Sequence, residues 1–356
     1  MQKEISKIFQ VAAVFIGTIV GAGLASGKEI TQFFTSYGYK SFIGIILTGI
    51  FYIYMCSIIG NLSIKYNLNS YSEVIELVNS KRRSIRLGSL ISKSTSIITT
   101  LYILSSASII LAGCGSLLNQ YFGIPKLAGT LIMAALAVIT LWKETEGLIG
   151  INSIIVPSLI IVIVTILILY IFFFKDYITL THLKSLPAVK SNWLLSCILY
   201  SGYNILCCTG VIVPLSREMK SKRAVTLGII LGSLGLTLLC IFINLMLMLN
   251  QPYIYQYEIP LLYISNRFGT AMQIMLLIII WLEMFSTEVS DIYSISRSLE
   301  RIIKLPFKKN IFIVLAVAFP ISQIGFANLI SILYPLFGVL SLLFIAQCLF
   351  FYYSHK

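Results

Sequence analysis

The chain has 356 residues, of which 58% are hydrophobic and only 11% charged, with a mean hydropathy of +0.94. An average soluble protein carries roughly 25% charged residues, so a soluble globule of this size is excluded and a multi-span membrane protein is indicated. The net charge of +13 does not mark a nucleic-acid partner, because Lys and Arg cluster between apolar runs and not on a soluble basic face.

Taken in chain order, the apolar runs predict ten membrane helices, at 8–36, 41–64, 90–120, 126–142, 148–174, 192–215, 225–249, 270–297, 310–327 and 329–353. The charged start MQKEISKIF leads into a run that breaks at GAGLASGKE with no small-residue cleavage pattern. The first run therefore reads as a retained span and not a signal peptide. The last two runs nearly join at FANLIS.

The 26 Lys and Arg residues concentrate at 3–7, 65–93, 143, 217–223 and 297–309, which predicts that these segments face the cytoplasm. An even number of spans then places the N- and C-termini in the cytoplasm. The seven cysteines all lie in apolar runs and form no C-x-x-C pair. They read as small buried apolar residues, not as a disulfide framework or a zinc site.

The ten spans divide into five and five, over 8–174 and 192–353. The first and sixth spans each open a half and each is interrupted by glycine, at GTIVGAGLASG (17–27) and YSGYN (200–204). Gly-interrupted segments at corresponding positions of two halves point to a transporter binding site.

Gly17, Gly21, Gly23 and Gly27 fall within eleven residues of one span. Two roles are open: close helix packing, from the small-x-x-x-small spacing, or local unwinding that exposes backbone to a ligand. Ser26, Lys28, Glu29, Thr31 and Gln32 follow, and so much polarity predicts a water-accessible lining. Lys28 and Glu29 read either as a structural ion pair or as substrate contacts. Two nucleotide motifs fail here. A phosphate-binding GxxxxGK[ST] is broken by Ala22 and Glu29, and a dinucleotide GxGxxG by Ser26.

In the eighth span, Glu283, Ser286, Thr287, Ser290, Asp291 and Ser294 share one helical face that leads to Arg297. Glu283 falls near the bilayer midplane, where a carboxylate is costly and functional by default. Glu288 lies roughly 140° around the helix and is assigned to another surface or to a cytoplasmic-side packing contact. The hydroxyls of Ser286 and Thr287 either ligate a small cation or bond back to their own helix. Tyr200, Tyr203 and Asn204, at the expected break of the sixth span, either shape a pocket or pack between helices.

The segment VGAGLASGKEITQFF resembles the signature of the bacterial YkvI-like membrane proteins, over nearly the whole chain. That family is similar to a branch of the amino acid, polyamine and organocation (APC) transporter superfamily, which shares the LeuT-type fold. The resemblance implies an all-α integral membrane protein of ten transmembrane helices, arranged as a 5+5 inverted repeat with helices 1 and 6 discontinuous. It implies one transporter domain over 1–356 in the bacterial cell membrane. It gives the backbone of Gly21, Ala22 and Gly23 to a substrate carboxylate. It gives a sodium ion to the carbonyls of Gly17, Val20 and Glu283 and the hydroxyls of Ser286 and Thr287. Proton-coupled relatives can place a lysine of helix five at that ion site, and Ile149–Phe174 contains none. The charged pair Lys28 and Glu29 departs from the apolar residues that most amino acid transporters have there.

The expected function is secondary active transport of a small amino-acid-like or related polar metabolite by alternating access. Sodium is the expected coupling ion and the only expected cofactor, with Glu283 and Asp291 as coupling residues. The alternatives are a proton-coupled carrier and a transporter-like receptor or sensor. An intramembrane enzyme is disfavoured, since His182, His355, Asp176 and Asp291 are the only histidines and aspartates and assemble no known catalytic set.

Overall fold

Apolar runs of this length fold as helices because only intra-segment hydrogen bonding satisfies backbone groups in lipid. The computed structural model describes residues 2–79, 85–142, 152–303 and 305–355. Its long helices are α1 (Gln2–Ile19), α4 (Lys40–Tyr66), α6 (Ile85–Phe122), α7 (Lys126–Trp142), α8 (Asn152–Phe174), α10 (Trp193–Met219), α11 (Lys222–Met248), α13 (Thr270–Ile303), α14 (Phe307–Ser322) and α15 (Phe326–Ser354). Short helices lie between them: α2 (Ala22–Ser26), α3 (Lys28–Phe33), α5 (Tyr71–Asn79), α9 (Leu180–Ser185) and α12 (Pro260–Ser265). The start of the fifth expected span, at 148–151, lies outside the described residues.

Among the described residues, seven helical stretches are long and apolar enough to cross a membrane, and α7 is a shorter apolar helix. The expected first span is divided into α1, α2 and α3. The last two expected spans separate cleanly, because Gly325, at φ +99°, turns the chain between α14 and α15. At 16 residues, α14 measures about 24 Å, short of a bilayer core of roughly 30 Å.

The interruption expected in the sixth span is absent: α10 runs unbroken from Trp193 to Met219. Gly202 serves packing instead. A Cβ there would strike Ser341 Oγ and sit 3.0 Å from the Gly338 carbonyl, and a Cβ on Gly338 would lie 2.5 Å from the Leu199 carbonyl. Paired glycines thus let α10 and α15 touch backbone to backbone, as small residues do at membrane helix interfaces.

α1 packs on α10 and α11, α4 on α10 and α11, and α6 on α7, α13 and α14, while α8 packs on α13. Polar ties gather several helix ends. Lys7 Nζ donates to the Met219 carbonyl at 2.8 Å, Arg217 Nε to Asn67 Oδ1 at 2.7 Å, and Lys65 Nζ to the His355 carbonyl at 3.2 Å. The start of α1 and the ends of α4, α10 and α15 therefore share one end of the bundle. The cysteines are all free; six are buried and Cys207 is half-buried.

Candidate functional site

The first span breaks where its glycines permit. α1 stops at Ile19, Gly21 is extended at φ −110°, ψ −173°, and α2 begins at Ala22. α2 lasts five residues before Gly27, at φ +79°, turns the chain left-handed into α3. Only glycine adopts that conformation without strain. Leu261 of α12 lies 2.8 Å from where a Gly27 Cβ would be, so glycine is also required for room. Ser26 Oγ, which donates to the Gly23 carbonyl at 2.7 Å and accepts from the Lys28 amide at 3.1 Å, holds the turn.

The double turn decides where Glu29 goes. Its side chain folds back over α2, so that a Cβ on Gly23 would collide with Glu29 Oε1. Tyr334 of α15 donates to that oxygen at 2.5 Å, and Tyr200 of α10 donates to Oε2 at 3.1 Å. Glu29 is 3% exposed. Aromatic rings wall it: Tyr203 stacks on Tyr334 at 3.8 Å, and Phe33 lies 5.3 Å from Tyr200 and 5.9 Å from Tyr334. Beside the break, the direction a side chain would take from Gly21 is open, with no atom within 4 Å of a Cβ.

This geometry bears on three expectations. Lys28 and Glu29 do not pair: consecutive helical residues point about 100° apart, and Lys28 Nζ donates instead to the Tyr257 carbonyl at 2.8 Å. The glycine spacing is not a packing stripe, since Gly17 meets only Val156 at 3.8 Å while Gly23 meets Glu29. Of the backbone expected to bind a carboxylate at Gly21, Ala22 and Gly23, the side of Gly23 where a Cβ would stand is occupied by the protein's own Glu29 carboxylate. Tyr200 and Tyr203 join the site. Asn204 Nδ2 bonds back to the Tyr200 carbonyl at 3.0 Å.

On α13 the hydroxyls bond down their own helix. Thr287 Oγ1 donates to the Glu283 carbonyl at 2.9 Å, Ser290 to Ser286 at 2.9 Å, and Ser294 to Ser290 at 2.8 Å. Two of the oxygens expected around sodium are thereby adjacent, and Ser286 is buried. Glu283 is also buried, and its Oε2 has no hydrogen-bond partner among the described residues. Of the two placements open for Glu288, the structure shows an enclosed, packed one. Glu288 is fully buried and neither carboxylate oxygen has a partner among the described residues, because α6, α7, α8 and α14 all pack around α13. Asp291 bonds to Ser106 of α6.

The segment before and including α12 packs against α2 and the start of α3. Gln120 of α6 exchanges two hydrogen bonds with the Ile259 backbone, at 2.9 and 3.0 Å. Glu258 accepts from Lys126 at 2.6 Å and from Ser116 at 2.8 Å. Partial burial pushes the Glu258 carboxyl up, but the Lys126 ammonium and the Ser116 hydroxyl outweigh it and hold the group below the ordinary glutamate value.

Sequence reading missed Tyr334, the shorter of the two bonds to Glu29. The available signal was a hydroxyl-bearing ring directly before Pro335 in an otherwise apolar run, where proline removes a helix hydrogen bond.

Comparison with solved structures shows that the chain shares its fold with Mhp1 and with a manganese transporter. An inward-facing conformation of Mhp1 superposes with a TM-score of 0.67 at 13% identity, covering 94% of this chain and 73% of that one. A manganese transporter of Eremococcus coleocola superposes with a TM-score of 0.62 at 15% identity, covering 98% of this chain and 79% of that one. In sequence, the chain is homologous to the membrane protein YkvI of Bacillus subtilis, 28% identical over 349 residues, 98% of this chain and 97% of that protein. No family model matches the chain.

Proposed function

We propose that the protein is a secondary transporter that carries a small polar metabolite through the break between α1 and α2. The observation that carries this reading is the break itself: non-helical backbone at membrane depth persists only where protein or a water-filled cavity receives it, and here it lies beside open space at Gly21 and a buried carboxylate. The fold shared with known transporters supports it. Helix pairing supports the division into two inverted halves, 8–174 and 192–353. α1 lies on α11 and α10 on α4, the exchange of partners that such a symmetry requires. The clustering of the basic helix ends with both termini supports a cytoplasmic placement of that end.

For the coupling ion we propose sodium, held by the carbonyls of Gly17, Val20 and Glu283 with Ser286 and Thr287. The support is that α2, which begins just past Val20, packs on α13, the helix that carries Glu283, Ser286 and Thr287; Thr287 Oγ1 bonds back to the Glu283 carbonyl and keeps lone pairs for a cation. A second reading, proton coupling, is favoured by Glu288, a buried carboxylate with both oxygens unpartnered among the described residues. Ligand-driven currents from purified protein in vesicles, under a sodium gradient or a pH gradient alone, separate the two. Current with neither gradient nor ligand dependence would reject transport.

A further inference from the structure

Lysines gather at one place where the sequence has few of them. α4 and α10 end among the polar ties that join the two termini, so their starts, Lys40 and Trp193, stand at the opposite end of the bundle. There the chain between α9 and α10 folds onto the turn Thr35–Tyr37: the amides of Val189 and Lys190 both donate to the Ser36 carbonyl, at 2.8 and 2.9 Å. Gly38, at φ +61°, permits the approach, since a Cβ on it would lie 3.3 Å from the Ala188 Cβ. The loop and the turn enclose a cavity of about 890 Å³, lined by Tyr37, Tyr39, Lys40, Lys184, Lys190 and Asn192 among others.

Lys184 Nζ lies 5.6 Å from the centre of the Tyr39 ring, and Lys190 Nζ donates to the Gln32 carbonyl at 3.4 Å. No aspartate or glutamate lines the cavity, and among the described residues none pairs with the three lysines. Three ammonium groups around one space repel one another and leave a positive charge for an anion to neutralise. Phosphate oxygens suit them, because lysine binds phosphate through strong charge-assisted hydrogen bonds.

A second hollow indicates what carries the anion. α4 and α10 pack together and leave between them an apolar groove of about 320 Å³, walled by Leu47, Ile50 and Tyr54 of α4 and by Leu194 and Ile198 of α10. Lys40, Leu47 and Tyr54 recur every seven residues and so share one face of α4. Lys40 therefore heads the groove's own wall, about 10 Å before Leu47 at 1.5 Å per residue. On α10, Leu194 of the groove follows Asn192 of the cavity by two positions. Trp193 between them, with Tyr37 and Tyr39, puts aromatic rings at this level, as membrane–water interfaces do. A dissolved anion would use the cavity alone. A phospholipid has its phosphate and its hydrocarbon chains at this spacing, because each polar layer of a bilayer is roughly 5–8 Å deep.

We infer that the cavity binds the phosphate headgroup of an anionic phospholipid, held by Lys40, Lys184 and Lys190, with an acyl chain lying in the groove between α4 and α10. Basic pockets between membrane helices recognise anionic headgroups by this chemistry. The site is separate from the break in the first span and stands whether or not a ligand crosses there.

The test is fluorescence quenching in vesicles of the full chain carrying Trp142→Phe and Trp281→Phe, which leaves Trp193 as the only tryptophan. Phosphatidylglycerol with brominated chains competes there with unlabelled phosphatidylcholine, and the labels are then exchanged. Phosphatidylglycerol is expected to be preferred at Trp193 at least threefold. Lys40→Gln with Lys184→Gln and Lys190→Gln should bring that preference to about one, while Lys65→Gln with Lys222→Gln, at the other end of the bundle, should leave it unchanged. No preference in the starting protein, a preference that the three lysine changes do not move, or one that Lys65→Gln with Lys222→Gln removes equally would overturn the inference. Loss of the preference in millimolar inorganic phosphate or glycerol 3-phosphate would overturn the lipid and assign the cavity to a dissolved anion. Should the tryptophan-depleted chain fail to fold, mass spectrometry of the otherwise native chain in detergent gives the same decision: the three lysine changes should remove one retained phosphatidylglycerol, and an equal number retained would overturn the inference.

Discussion

Removal of the Tyr334 hydroxyl is the sharpest probe of the Glu29 anchor. Tyr334→Phe keeps the ring, its 3.8 Å stack on Tyr203 and its 5.9 Å approach to Phe33, so the change isolates one hydrogen bond of 2.5 Å. A hydrogen bond to a charged group contributes about 1.5–3 kcal/mol, against about 0.5–1.5 kcal/mol between neutral groups. Both tyrosines donate to Glu29, so a double-mutant cycle of Tyr334→Phe with Glu29→Leu, which removes the acceptor, should give a coupling energy of about 2 kcal/mol for an ionised carboxylate. The corresponding cycle with Tyr200→Phe, across 3.1 Å, should give about 1 kcal/mol. Equilibrium unfolding of the six proteins of the two cycles in mixed micelles titrated with denaturing detergent measures both. A Tyr334 coupling below about 0.5 kcal/mol would refute an ionised, tyrosine-held carboxylate, since even a neutral pair exceeds that value on average. A larger coupling for Tyr200 than for Tyr334 would refute the geometry.

Gly23→Ala should displace the Glu29 carboxylate and lower thermal stability and ligand affinity together, whereas Gly21→Ala, in open space, should change the melting temperature little. Gly338→Ala should cost about 1–3 kcal/mol in a detergent melt, because its Cβ meets the Leu199 carbonyl of a neighbouring backbone that cannot yield. Glu258 titrates below the ordinary glutamate value in the folded protein. Its contribution to stability is therefore complete above that ordinary value and is lost as pH falls through the lowered one; Lys126→Met should weaken this acid dependence, read from melting temperature against pH. Ser286→Ala with Thr287→Ala removes two of five proposed sodium ligands and should abolish stabilisation by sodium and lithium, while potassium has no effect in either protein. A native protein that melts identically in sodium and potassium would reject the site.

Much of the fold was legible because lipid imposes it. The runs at 41–64, 225–249 and 329–353 appear as α4, α11 and α15 within a few residues, since length and hydropathy alone set their bounds. The break after Val20 was legible for a related reason, as four glycines in eleven residues have few uses in a membrane helix. Its counterpart was misread. Gly202 carries the same local signal as Gly21, yet its role depends on Gly338, which lies 136 positions away and is adjacent only in space. The placement of Glu288 stayed open because helical angle separates faces of one helix without saying which are enclosed, and α13 is enclosed on several sides. The divergence of Lys28 and Glu29 depends on the left-handed turn at Gly27 and on the Tyr257 carbonyl, neither of which composition reveals. Tyr334 reaches Glu29 across 305 positions, a contact that only the assembled bundle creates.

The central claim is that a ligand crosses the membrane through the break beside Gly21 and Glu29. Uptake by vesicles of the purified protein, under an inward sodium or proton gradient, of a small polar metabolite chosen because it raises the melting temperature of the protein tests it most directly. The wild-type protein should accumulate that metabolite above protein-free vesicles, and Gly21→Trp, correctly folded by its melting curve, should not. Equal uptake by wild-type and Gly21→Trp vesicles, or uptake by the wild type no greater than by protein-free vesicles, would contradict the account.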